Sequence, residues 1–309
     1  MKILFSIAIL LNIHLISFCQ NKTLNVGPRV KNVSFSTYDS TQNFLGLNYK
    51  KYLGQDLLVR PNLQYLKFGY RDFYKSPVLN NNSSKNIYAK NRPLPHGVTP
   101  YEDLVNRVFF VRDIINDGSK IFLKLYDRKN HENIYFNYSY DSEVFFPFVV
   151  IGYIEKLKKT NLHKDYYARF DKINELGLNP TYSDNENYNY FGSVWNVKDV
   201  FLNDSTGDIV CQLSSESNNL SVSIKHFSPK YFANKILYDE AKKYGLNVFT
   251  QVLRGFIDIG MDRNVVTLSI GNPKRINTTL SRDLIQEQWV YENGKYLYFT
   301  NGILKTIQY

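Results

Sequence analysis

Beyond the N-terminal stretch the chain offers one thiol, Cys211, and four imidazoles: His96, His131, His163 and His226. A thiol becomes a nucleophile when a base or a cation stabilises its thiolate, so Cys211 with His226 is the formal nucleophile–base pair. Cys211 lies in IVCQL (209–213), an apolar run where a buried, inert thiol is the expected state. Nothing close by in sequence supplies an orienting group or an oxyanion hole. The histidines are scattered, with no pair at i, i+2 or i, i+4, so a local metal clip is not expected. The chain lacks a Walker A loop, G-x-G-x-x-G, H-E-x-x-H, G-x-S-x-G and C-x-x-C, and no cofactor or catalytic residue is assigned.

Two basic–acidic pairs recur, Arg112-Asp113 in VRD and Lys198-Asp199 in VKD. They are candidate interaction sites, but the favoured expectation is structural: an Asp at a strand end bonding the backbone of a turn, with Arg112 or Lys198 exposed, as is also expected for Asp56, Asp165, Glu102 and Asp103. Two carboxylates ~5–10 Å apart would suit glycoside hydrolysis. An exported hydrolase of glycan or peptide, using carboxylates between modules, is therefore the alternative function.

These pairs sit within a repeat of four elements. LGQDLLVR from Leu53 matches LHKDYYAR from Leu162, and each follows two lysines. FVRDI (110–114) matches NVKDV (196–200), IFLKL (121–125) matches IVCQL, and NIYFNYS (133–139) matches LSVSIKH (220–226). The spacing falls from 109 residues (Leu53 to Leu162) to 86 (Phe110 to Asn196), because the first copy carries an insertion. That insertion, 74–98, has three prolines and no apolar period, and reads as a surface loop. The repeated runs are short, alternating and rich in aromatic and β-branched residues, with polar turns between them, as strands are. A sheet of four or five strands protects its edges by curling, so two small SH3-like or sandwich-like β modules are expected. VFFPFVVIGYI (144–154) reads as a buried strand joining them.

A helix is expected over Pro229–Gly245, capped by Ser228, and a second over Val248–Arg254, stopped by Gly255. Next, Asp262 suits an N-cap, Gly271 a C′ position and Pro273 the exit. After a polar loop come QEQWVY (286–291), KYLYF (295–299) and ILKTIQ (303–308), joined by ENG and TNG. Asn-Gly between apolar runs is a strong hairpin signal. The expectation is a three-stranded antiparallel meander with a helix on one face. Trp289, Tyr291, Leu297, Phe299 and Ile307 lie on the covered side, and Trp289 and Tyr291 are also candidate interaction residues.

Ile259-Gly260-Met261, Val265, Gly271-x-Pro273, Glu287-Gln288-Trp289-Val290-Tyr291, Tyr296-Leu297-Tyr298-Phe299 and Asn301-Gly302 together resemble the small outer-membrane lipoprotein (SmpA/OmlA, BamE-like) domain. The resemblance covers about the last sixth of the chain. It implies a helix-plus-meander fold making protein–protein contacts in a bacterial envelope. The chain departs from the family in placing this domain after more than 200 residues.

At 309 residues, with 43% hydrophobic residues, 25 Tyr and 21 Phe, the chain is neither disordered nor low in complexity. Two cysteines exclude a disulfide scaffold. Lys2, the apolar run from Ile3 to Phe18 and the small residues Ser17 and Cys19 form a signal-peptide pattern cleaved between Cys19 and Gln20. Phe18 is a poor residue before a lipidated cysteine, so lipidation at Cys19 is the less favoured variant. Export makes nucleic acid an improbable partner for the +10 charge. Lipid headgroups, an anionic membrane surface or cell-wall polymer remain, although most of these lysines read as a solvated surface. N-x-S/T matches such as Asn82, Asn137, Asn203 and Asn277 follow from an Asn-rich composition.

The organisation expected is α+β and mostly β: signal peptide 1–19, leader 20–44, β module 45–143, β module 144–227, helical linker 228–255 and SmpA/OmlA-like domain 256–309. The expected role is a periplasmic or outer-membrane-associated binding or scaffold protein, without enzymatic activity, that contacts envelope proteins or cell-wall polymer.

Overall fold

Leu57, Val59, Phe109, Val111, Leu123, Leu125, Ile134 and Phe136 alternate with less buried neighbours along four segments, and that period of two makes a sheet. A computed structural model describes residues 38–77, 84–91, 93–171, 176, 190–216, 218–292 and 294–309. All lie in one unit, Phe35–Tyr309. The expected signal peptide and its Cys19–Gln20 cleavage point lie outside the described residues. Among the described residues the protein is α+β and mostly β, with fifteen strands in three antiparallel sheets.

The first sheet holds β1 (Asp56–Val59), β2 (Phe73–Tyr74), β3 (Val108–Asn116), β4 (Ile121–Asp127), β5 (Glu132–Tyr138) and β6 (Phe148–Val150), in the order β2-β5-β4-β3-β1-β6. The second holds β7 (Asp165–Ala168), β8 (Val194–Leu202), β9 (Ile209–Ser215), β10 (Asn218–Ser223) and β11 (Phe232–Asn234), in the order β10-β9-β8-β7-β11. The four segment pairs aligned in sequence occupy matching places: β1 with β7, β3 with β8, β4 with β9, β5 with β10. The match extends to β6 and β11, each pairing antiparallel with the first strand of its own sheet. In both sheets the strand order runs between distinct edge strands, giving antiparallel sheets where small SH3-like or sandwich-like modules were expected.

The run 144–154 is not one strand. Val144 and Phe145 are exposed, only Phe148–Val150 is a strand, and Ile151 opens α3 (Ile151–Asn161), which follows the short helices α1 (Leu63–Phe68) and α2 (Tyr101–Leu104). The pairing of β6 with β1 carries the first sheet through Val150, past the boundary expected at 143. Tyr153, near the start of α3, packs on both the first and second core clusters, so one helix seals two sheets. The 74–98 insertion is only partly a surface loop. Residues 78–83 and 92 lie outside the described set, but Tyr88, Ala89 and Val98 are buried.

The helix expected at Pro229–Gly245 is broken. Phe232–Asn234 is spent on β11, and α4 (Lys235–Asp239) starts only where Asn234 accepts from the Leu237 N–H. Gly245 instead precedes α5 (Leu246–Arg254), which ends at left-handed Gly255 as expected. Asp262 caps α6 (Arg263–Ile270) through the Asn264 N–H, and Gly271 follows it. The third sheet runs in chain order: β12 (Arg275–Ser281), β13 (Leu284–Val290), β14 (Tyr296–Thr300) and β15 (Ile303–Gln308). β12 lies where a polar loop was expected, and all seven of its residues are exposed. Trp289, Leu297 and Phe299 pack beneath α5 and α6 in a third core cluster, with Tyr291 and Ile307 at its margin.

Candidate functional site

The recurring basic–acidic pairs lie at matching β-bulges rather than at strand ends. Pairing slips by one residue between Val111 and Asp113 on β3, and between Val197 and Asp199 on β8. Arg112 and Lys198 are therefore the extra, outward residues. In each bulge the Asp carboxylate accepts the next backbone N–H, Ile114 at 2.8 Å and Val200 at 2.7 Å. Arg112 stacks on Tyr126 at 3.7 Å, and Asp199 meets Lys158 of α3 at 3.4 Å. These contacts shape strands; no hydrogen bond or ion pair among the described residues joins one pair to the other. Trp289 is buried against Phe299, 4.5 Å between ring centres, so its indole belongs to the core rather than to a contact surface. Tyr291 donates to the Gly271 carbonyl at 2.9 Å, and burial pushes its phenol up to about 12.

Cys211 is fully buried between Val200 and Val222 on the flanking strands. Burial pushes its thiol up to about 12, the opposite of what a nucleophile needs. Among the described residues no three His, Cys, Asp or Glu side chains gather as metal ligands would, and no helix is long and apolar enough to cross a membrane.

Sequence reasoning missed a charged cluster in the first sheet. Arg107 pairs with Asp127 and Glu132, and donates to the Tyr88 hydroxyl at 2.6 Å and the Asp103 carbonyl at 2.7 Å. Burial by itself would raise Asp127, but Arg107 and the Lys129 and Asn130 N–H groups outweigh it and lower its pKa. Every member is satisfied by another, which makes this a structural network.

Chemistry with unspent capacity lies at the joint between the first two sheets. The repeat matches Arg60 with Arg169, and the backbone keeps the match. The Arg60 N–H donates to the Pro147 carbonyl before β6, and the Arg169 N–H to the Tyr231 carbonyl before β11. The guanidinium groups then differ. Arg169 binds the Leu253 carbonyl at 2.7 Å, Pro229 at 2.6 Å, Ser269 at 3.1 Å and Val252 at 3.4 Å, and the Tyr238 hydroxyl at 3.1 Å. It thereby caps the C-terminal carbonyls of α5 and α6 together and ties the second sheet to the third. Among the described residues the Arg60 side chain spends only its Nε, on the Phe148 carbonyl at 2.9 Å.

Arg60 lines a cavity of about 330 Å³ with Asn43, Glu143, Tyr153, Asp208 and Lys225. Burial lowers its pKa from the usual guanidinium value, and Glu143 and Asp208 partly restore it. Neither carboxylate comes within ion-pair distance of it among the described contacts. One wall of the joint is the 203–208 turn. Ser205 accepts the Leu63 N–H at 3.0 Å, Thr206 accepts from the Asn62 side chain at 2.8 Å, and Gly207 lies flat on Pro61. The shared final Arg of LGQDLLVR and LHKDYYAR was the visible signal for this site; the unequal fate of the two arginines was not visible. No protein-family model, no curated protein and no solved structure matches this chain.

Proposed function

We propose that this is an exported, non-enzymatic binding protein of a bacterial envelope, in which two related β modules and a SmpA/OmlA-like helix-and-meander domain present surfaces to envelope proteins or cell-wall polymer. The observation that carries the binding reading is the Arg60 cavity: a partly buried guanidinium with terminal N–H groups unspent on protein acceptors, at a joint of two sheets. Ligand sites are concave, with a few convergent polar groups, and this cavity has that build. The signal-peptide pattern supports the compartment. The order α6, then β13, β14 and β15 around Trp289 and Phe299, supports the terminal domain.

The hydrolase reading has one observation in its favour, since Glu143 and Asp208 share the cavity. A hydrolase needs one carboxyl to hold a proton for the leaving group. A guanidinium in the same space offers paired N–H donors to a carboxylate or phosphate ligand, which suits binding better. In-cell crosslinking of the chain at its native level, with mass spectrometry of the captured set and co-sedimentation with cell-wall polymer, tests the proposal. A defined set of envelope proteins, or retention on polymer, is expected. A repeatable catalytic activity abolished by Glu143→Gln or Asp208→Asn would overturn it.

A further inference from the structure

The two matched arginines allow an internal comparison. At the second joint the guanidinium of Arg169 is covered by carbonyl and hydroxyl oxygens on all three nitrogens. At the first joint the corresponding guanidinium meets one carbonyl, and its remaining donors belong to a cavity wall. A planar guanidinium with two free nitrogens matches the two oxygens of a carboxylate. Phosphate would match as well, and the rest of the lining separates the two. Glu143 and Asp208 share the wall with Arg60 and Lys225, so the charges balance. No ion pair or side-chain hydrogen bond occupies Glu143, Asp208 or Lys225 among the described contacts. A purely anionic ligand gains from the cations and loses against the acids. A ligand carrying both signs gains from both.

The volume agrees. About 330 Å³ accommodates roughly ten groups of water size, at ~30 Å³ each. That is the bulk of an amino acid or a dipeptide. Tyr153, half-buried on the same wall, adds an aromatic surface for an apolar side chain.

We infer that the cavity between the first two sheets binds a small zwitterion, a free amino acid or short peptide, with its carboxylate on Arg60 and its ammonium facing Asp208 and Glu143. This deepens the binding reading above and rests on it.

Isothermal titration calorimetry of the purified chain tests the inference with four probes: alanyl-alanine, its C-terminal amide, its N-acetyl form and inorganic phosphate. The unblocked dipeptide should bind, and blocking either end should weaken binding about tenfold or more, as loss of a charged hydrogen bond does. Arg60→Gln should abolish binding. Because the blocked probes use the unaltered chain, the result stands even if that variant folds poorly. Equal binding of dipeptide and amide, or no binding of the dipeptide, overturns the inference. Phosphate binding tighter than that of the dipeptide, and removed by Arg60→Gln, would also overturn it while leaving the cavity a binding site. Crosslinked partners and polymer retention, both absent in the unaltered chain, would instead remove the underlying reading.

Discussion

Arg107 shows how a single residue can bind distant pieces of chain. It joins Asp103, Asp127, Glu132 and, through Tyr88, the 74–98 insertion. The network was not legible in the sequence, because Tyr88, Asp127 and Glu132 are 19 to 25 residues from Arg107 and Tyr88 lies in a stretch without apolar period. By contrast, burial of Cys211 and the Asp262 cap were legible, since both follow from immediate neighbours. Removing the cation alone leaves Asp127 buried and unpaired, so Arg107→Met should cost about 3–5 kcal/mol, and Asp127→Asn added to it should recover part of the loss. Chemical denaturation of the single and double variants measures this. Asp127 also sets a pH dependence. Its folded pKa lies below the 3.8 of a free Asp, so its contribution is complete above about pH 4 and is lost as pH falls through the folded value. The denaturation midpoint should drop below pH 4, and less steeply in Asp127→Asn.

At the scale of elements, the repeated runs and the last three strands were readable from period and turn residues, whereas α3, β11 and β12 were not. A short apolar run does not distinguish strand from buried helix, and 148–154 contains both. α3 became a helix because Tyr153, Ile154 and Leu157 fall on one side and reach the second core, leaving Lys156 and Lys159 exposed. β12 was invisible for the opposite reason: its residues are held by seven paired positions on β13, not by burial. The 203–208 turn permits a sharper test. Gly207 has φ +70°, and a Cβ there would lie 2.3 Å from the Pro61 carbonyl oxygen. Gly118 has φ +87°, with nothing within 4 Å of a Cβ. Gly118→Ala should cost only backbone strain, about 1 kcal/mol. Gly207→Ala should cost clearly more, about 2–4 kcal/mol, because the turn must also leave Pro61. Thermal denaturation of the two variants checks the order.

The whole molecule is a succession of sheets whose joints are of unequal strength. α3 and the 203–208 turn close the first joint, while the Arg60 side chain bonds only the Phe148 carbonyl of its own sheet. Arg169 alone contributes four bonds across the second, to Tyr238, Val252, Leu253 and Ser269, and Tyr238 adds a further bond to the Leu268 carbonyl. Without Arg169, the carbonyls of Leu253 and Ser269 lose their partner in a region shielded from water. Arg169→Met should therefore uncouple the third sheet and its helices, splitting calorimetric unfolding into two transitions where the unaltered chain shows fewer. Protease cleavage should appear first around 254–263, between α5 and α6. A single unbroken transition in the variant would mean that the buried contacts of Tyr167 and Ala233 with the third cluster suffice on their own.

The inequality of Arg60 and Arg169 has a mechanical consequence. Under tension applied between residues 38 and 309, load passes through both joints in series. At the Arg60 joint no bond of the arginine side chain crosses between the sheets, so the load falls on α3 and on the bonds of Asn62 and Leu63 to the 203–208 turn. At the Arg169 joint the matched side chain itself carries bonds across, which fasten the terminal helices and sheet to their neighbour. The chain is thus a spring with one soft coil, placed where a ligand bridging Arg60 and Asp208 would stiffen it.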